Sequence, residues 1–178
     1  NAHFEPVNMH KLLDDVRQTV TRERPNLSTH LVFEHSSQPV IVSGDEVLIQ
    51  QTLLNLLYNA FDAVLKLDSP QILVELEVQP HTACEVSGSR AANGWAVVSV
   101  SDNGSGVKAA LQESLFEPFS TSRQHGDGLG LGLTIARQIA EDHGGELQYR
   151  ALARGSCFIL KLPLHSNESS STRRVTQE

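Results

Sequence analysis

Gly126-Asp127-Gly128-Leu129-Gly130-Leu131-Gly132 runs directly into Leu133 to His143, where Ile135 and Ile139, Ala136 and Ala140 recur at helical spacing before a Gly144-Gly145 stop. Four glycines alternating with other residues cannot make a stable strand, because each removes packing and adds ordering entropy. A flexible linker is the plain alternative, but the interleaved leucines and the immediate helix are not linker composition. Successive backbone N–H groups in such a loop, with the N-terminus of the helix it feeds, form a concavity suited to phosphates. No Gly-Lys-Ser/Thr follows, so this is not a Walker loop. No strand leads into it and the glycine spacing differs, so it is not a dinucleotide fingerprint either.

Upstream, Val97 to Ser101 runs into Asp102-Asn103-Gly104-Ser105-Gly106, a carboxylate at a strand end followed by two glycines. An Asp so placed can accept a hydrogen bond from an exocyclic amine, while the glycines leave room for a flat ring. A tight Asp-Asn-Gly turn explains the same residues. Further upstream a long apolar-periodic run, Val47 to Leu67, defines the principal helix, with Ser43 and Glu46 in the form of a capping box. On it Gln51, Asn55, Asn59 and Asp62 fall at steps of four, four and three and share one stripe, with Leu53, Leu56, Leu57, Ala60 and Phe61 turned inward. Such a stripe can be a solvated face. Two asparagines one turn apart nevertheless cost helix propensity, and a pair of amide oxygens suits Mg²⁺, a hard cation that also touches phosphate.

The remaining pattern supplies the frame. Val7 to Arg24, with Met9, Leu12, Leu13, Val16 and Val20 at helical spacing, predicts a first helix ended by Pro25. Leu31 to Glu34 predicts a strand, and Pro39 to Val42 an extended lead-in. Gln71 to Gln79 alternates with period two, Trp95 to Val100 forms its hairpin partner, and Thr82 to Gly94 is the long exposed loop between them. Glu146 to Leu152 and Ser156 to Pro163, joined through Arg154-Gly155, make a closing hairpin. Strands paired as hairpins and interleaved with helices predict the α+β class: a two-layer α/β sandwich whose mixed, mostly antiparallel sheet carries helices on one face. Residues 1–164 are expected to form one domain and residues 165–178, rich in Ser, a disordered tail or linker.

Composition excludes several functions. The net charge is −7, and no run of Lys and Arg could neutralise a series of phosphates, so nucleic acid is not an expected partner. Cys84 and Cys157 lack metal-ligand spacing and are expected to be reduced, partly buried thiols. With no signal segment and no apolar run approaching the roughly 18 residues a membrane span needs, a cytoplasmic location is expected. The start at Asn1 suggests a fragment of a longer protein, with any membrane segment lying outside it.

In this order the segments resemble the catalytic, ATP-binding domain of sensor histidine kinases, within the superfamily that includes Hsp90, gyrase B and MutL; the resemblance covers about Phe4 to Leu164. Asn55-Leu-Leu-Tyr-Asn59-Ala-Phe-Asp62-Ala63 looks like the N box, Asp102 to Gly106 the first glycine box, Leu115-Phe-Glu-Pro-Phe119 the F box, and Gly126 to Gly132 the second glycine box. The resemblance implies that Asn55 and Asn59 coordinate Mg²⁺ and that Asp102 bonds the adenine amino group. Gly104 and Gly106 would shape the adenine pocket, with Asp62 also at the nucleotide. It makes Phe116 to Gly132 a mobile ATP lid in which Phe119, Thr121, Gly126, Gly128, Leu129, Gly130, Leu131 and Gly132 face the nucleotide. Phe116 and Phe119 are read as anchors of that lid. Arg123 would either reach the γ-phosphate or be a solvated surface residue. The Asn-Ala-Phe-Asp-Ala form of the N box looks like the kinases of nitrogen and dicarboxylate sensing. None of the eight histidines is followed by an acidic residue, as the phosphoacceptor of the resembled family is. The implied partners are therefore a dimerising His domain of the same protein and a response regulator, the full-length protein being a homodimer.

Overall fold

The computed structural model describes residues 4–28, 30–80, 93–118 and 131–166. Its elements are β1 (Glu5–Asn8), α1 (Met9–Glu23), α2 (Pro25–Ser28), β2 (Leu31–His35), β3 (Ile41–Gly44), α3 (Glu46–Val64), β4 (Ile72–Gln79), β5 (Trp95–Asp102), α4 (Ala109–Gln112), α5 (Gly132–Asp142), β6 (Glu146–Ala151) and β7 (Ser156–Pro163). Five strands form a sheet in the order β2-β4-β5-β7-β6, and β1 and β3 form a separate antiparallel pair. Only β2 and β4 run parallel within the larger sheet. The α+β sandwich with a mixed, mostly antiparallel sheet is thus observed.

Period-two alternation decides which face is buried. Val74, Val100, Phe158 and Tyr149 stand in one row across β4, β5, β7 and β6, and Leu76, Val98, Leu160 and Leu147 in the next. Most of these side chains are buried, and α3 and α5 pack over them. From α3, Ile49, Leu53, Leu56, Leu57, Ala60, Phe61 and Val64 enter this core. Each large one contributes about 1.5–3 kcal/mol by leaving water. From α1 the stripe Met9, Leu12, Leu13, Val16 and Val20 enters it as well.

Local chemistry moves several boundaries. The α1 helix starts at Met9 rather than Val7, because Asn8 Oδ1 accepts from the N–H groups of His10 and Lys11 and caps it. Val7 belongs to β1, paired with Val42. The N-cap of α3 is Asp45, whose Oδ1 accepts from Val47 N and Leu48 N, and not the Ser43 of the expected capping box. Ser43 lies in β3 with its hydroxyl 2.6 Å from His165 Nδ1. Helix α4 was not marked by any apolar period. His165 N donates to Ile41 O and Val42 bridges Leu164, so the chain after β7 returns to the β1–β3 pair. Cys157 is a free, fully buried thiol. Cys84, most of the expected 82–94 loop and residues 167–178 lie outside the described residues. Among those described, no helix is long and apolar enough to cross a membrane.

Candidate functional site

The alternation that buries Ala96, Val98 and Val100 continues to Asp102, so its side chain takes the helix-facing side of β5 at the end of the strand. Register places it in one row with Ile72 and Ser156. Asp102 is only 5% exposed. Its Oδ1 accepts the Gly104 N–H at 2.8 Å. Burial pushes this carboxyl above its ordinary value, against the opposing pull of the Gly104 and Ser156 N–H groups. An inward carboxylate with a raised pKa, partnered here by backbone donors, is suited to a ligand that brings a further donor.

Close packing explains the glycines around it. A Cβ on Gly104 would stand 2.7 Å from Ala63 O and 2.8 Å from Ala63 Cβ, so glycine lets the loop lie directly on the last turn of α3. Gly155, at φ +94°, would put a Cβ 1.8 Å from Asp102 O, so the β6–β7 turn also closes on the same loop. The neighbouring Asn103 is structural: its Oδ1 accepts Gln71 N at 2.8 Å and its Nδ2 donates to Ser69 O at 2.9 Å. Val107 N donates to the Tyr149 hydroxyl, fixing the far end of the loop to β6. Between this loop and the β6–β7 turn lies a cavity of about 350 Å³ lined in part by Gly104, Gly106, Tyr149 and Arg154.

On α3, Asn55 Nδ2 donates to Gly132 O at 3.3 Å. This contact brings the N box helix against the last glycine of the second glycine box and uses one of the two Asn55 amide hydrogens, leaving the oxygen to accept or ligate. Asn59 follows one turn on and is half-buried. Asp62, by contrast, is exposed and its carboxylate lies 4.0 Å from the Arg24 guanidinium. One turn before it, the Tyr58 hydroxyl donates to Glu23. Both contacts tie α3 to the end of α1. Phe116 packs against the core and carries the Arg137 guanidinium 5.4 Å above its ring. Among the described residues one buried side-chain polar atom has no hydrogen-bond partner, Thr134 Oγ1 in the first turn of α5. Leu131 and Gly132 open that helix. Phe119, Thr121, Arg123, Gly126, Gly128, Leu129 and Gly130 lie outside the described residues.

The residue that sequence reasoning passed over is His143, set aside there with the other histidines. It is 1% exposed and bonded through both ring nitrogens. Its signal was its place, between the end of an amphipathic helix and two glycines.

A sheet covered on one face by helices, with an inward Asp at a strand end and asparagines on the facing helix, defines a nucleotide-binding α/β sandwich. The profile of the histidine kinase-, DNA gyrase B-, and HSP90-like ATPase family matches residues 44–166, and the chain belongs to that family, on the branch of the sensor histidine kinase catalytic domains. It is 34% identical over 128 residues to the two-component sensor PprA of Pseudomonas aeruginosa, covering 72% of this chain and 13% of that protein. It is 37% identical over 119 residues to the C4-dicarboxylate transport sensor protein DctB of Rhizobium meliloti, covering 67% and 17%. With the sensory histidine kinase/phosphatase NtrB of Rhizobium leguminosarum bv. phaseoli it shares 31% over 166 residues, covering 92% and 42%. The chain thus spans less than half the length of these relatives. Among solved structures, the catalytic domain of histidine kinase ThkA superposes with a TM-score of 0.72 at 28% identity, over 90% of this chain and 95% of that one. ThkA in complex with the response regulator protein TrrA matches with a TM-score of 0.69 at 26% identity, over 91% and 42%.

Proposed function

We propose that this domain binds Mg-ATP and presents the γ-phosphate to a histidine on a separate helical domain, from which it passes to an aspartate on a response regulator. The observation that carries this is the buried Asp102 at the end of β5, held by Gly104 against Ala63 of the helix that also carries Asn55 and Asn59. Asp102 accepts the adenine amino group, Gly104 and Gly106 give the ring its approach, and the second glycine box with the α5 N-terminus receives the phosphates.

The donor set fits Mg²⁺: the oxygen of Asn55, whose amide nitrogen bonds Gly132 O, and that of Asn59 are neutral hard donors of the kind this cation takes alongside phosphates and water. Bound there, the metal would neutralise phosphate charge. The unpartnered Thr134 hydroxyl, in the first turn of α5, is a further polar atom at the phosphate end. Asp62, on the same stripe and 4.0 Å from the Arg24 guanidinium, stays assigned to the nucleotide on the resemblance alone. Arg123, Phe119, Thr121 and the glycines from Gly126 to Gly130 stay assigned to the lid on the resemblance alone. Phosphoryl transfer needs positioning and charge neutralisation more than covalent chemistry, which suits a domain whose nucleophile comes from elsewhere. A response regulator as downstream partner is supported by the ThkA complex with TrrA. Homodimerisation and any membrane attachment would belong to other parts of the full-length protein.

Label from γ-phosphate-labelled ATP, supplied to this chain together with the His-bearing helical domain of the full-length protein, should appear on that domain as acid-labile phosphohistidine. Steady phosphate release without such label would favour an ATPase of the Hsp90, gyrase or MutL kind. The polar stripe argues against that outcome, since Gln51 and Asn55 are amides and cannot take a proton from water.

A further inference from the structure

We infer that His143 is a positioning residue for the nucleotide site: it clamps α5 in register against α3 and so fixes where Gly132 stands beside Asn55. The inference rests on the Mg-ATP reading above. His143 Nδ1 lies 2.7 Å from Ile139 O, and a carbonyl can only accept, so Nδ1 carries the proton. Nε2 is then the acceptor, and Asp45 N donates to it at 3.0 Å. The neutral Nδ1–H tautomer thus joins the C-terminal end of α5 to the N-cap residue of α3.

The second tie is Asn55 Nδ2 to Gly132 O at the other end of the same helix pair. Ten residues separate Asp45 from Asn55 and eleven separate Gly132 from His143, spans of about 15 Å and about 16.5 Å at the α-helical rise. Two antiparallel helices of matched span are therefore pinned at both ends, and sliding one along the other breaks both bonds. The fit around the ring is tight. A Cβ on Gly44 would meet His143 Cδ2 at 2.6 Å, and Phe4 stacks on the imidazole with centroids 4.8 Å apart. A residue serving only to fill this space could be apolar; a fully buried imidazole is favourable only because both nitrogens are bonded.

The clamp acts on the phosphate end of the site. Adenine is read by Asp102 and Gly104, on β5 and its loop, whereas the phosphates meet Gly132 and the start of α5, whose axial position the clamp sets. Replacing His143 should therefore weaken triphosphate binding and spare the base. His143→Phe keeps a ring against Phe4 and removes both hydrogen bonds. Its dissociation constant for Mg-ATP should rise about tenfold, the equivalent of one net hydrogen bond, while that for adenosine stays within about twofold, less than any whole bond supplies. His143→Gln retains an acceptor for Asp45 N and should recover most of the triphosphate affinity; His143→Asn, polar but too short to reach Asp45 N, replaces the Phe variant if that does not fold and should show the same selective loss. Equal losses for adenosine and Mg-ATP, or no loss for either, would overturn the clamp. So would an Nε2–H tautomer in the imidazole ¹⁵N spectrum of the unaltered chain. An unaltered chain that binds neither ligand would instead refute the nucleotide reading itself.

Discussion

Asp102→Asn is close to isosteric and removes the charge while leaving Oδ1 available to Gly104 N, which now sits 2.8 Å from it. If that bond is kept, the amide turns its NH2 toward the place where the base amino group is expected, so a donor faces a donor and the ligand loses its acceptor. A hydrogen bond to a charged group contributes about 1.5–3 kcal/mol, which converts to a loss of between about tenfold and about 150-fold in affinity. Calorimetric titration of ATP into the variant measures this, with far-UV circular dichroism showing that the fold is kept. There is a pH counterpart. Because burial raises the Asp102 carboxyl, the folded chain holds this proton more tightly than the unfolded one. Its contribution to stability is therefore fullest below the ordinary carboxylate value and declines as pH rises through the window up to the folded value. A ligand donor favours the ionised form, so ATP affinity should fall as pH drops through that same raised value, and Asp102→Asn should lack this step. An unchanged affinity in the variant at neutral pH would refute the assignment of Asp102 to the base.

Other perturbations separate the parts of the site from the parts of the frame. Asn59→Ala should abolish the strengthening of ATP binding by magnesium, read from paired titrations with and without the metal; equal strengthening would remove Asn59 from the metal site. Gly104→Ala, which drives a Cβ to 2.7 Å from Ala63 O, should cost about 1–3 kcal/mol of stability, seen in urea unfolding, and should weaken nucleotide binding with it. Asp45→Ala removes the cap that serves Val47 N and Leu48 N and should cost about 1 kcal/mol, or about 2–4 °C in melting temperature, without changing adenosine affinity.

Elements whose burial follows their own period were legible. The α3, α5 and β4–β5 patterns come from apolar residues that meet the core directly, so local spacing carries the information. Strand β1 is different. Its Glu-Pro-Val-Asn has one buried residue and no alternation, and it becomes a strand through pairing with β3. The parallel contact of β2 with β4 likewise depends on a partner 41 residues away in the register Leu31–Ile72. Ser43 and Glu46 form a Ser-x-x-Glu pattern, but Ser43 is committed to β3 and Asp45 stands immediately before the helix. In the candidate site, Asn55, Asp102 and Gly132 stand out by residue type and position, and the inward side of Asp102 follows from the alternation of Ala96, Val98 and Val100. Asp62 shared their helical stripe, yet a position near the end of α3 brings it to Arg24. His143 could not be recognised from spacing alone, since its partners are backbone atoms on two helices.

The end of β5, the N box face of α3 and the start of α5 are proposed to form one nucleotide site. This is tested most directly by following the backbone amides of the chain by NMR during titration with Mg-ATP. Saturable shifts should centre on Asn55, Asn59, Gly104, Gly106 and Gly132, with those near Gly104 reproduced by adenosine and those near Gly132 only by the triphosphate. Saturable binding whose shifts centre on other residues, or no shifts at all, would contradict it.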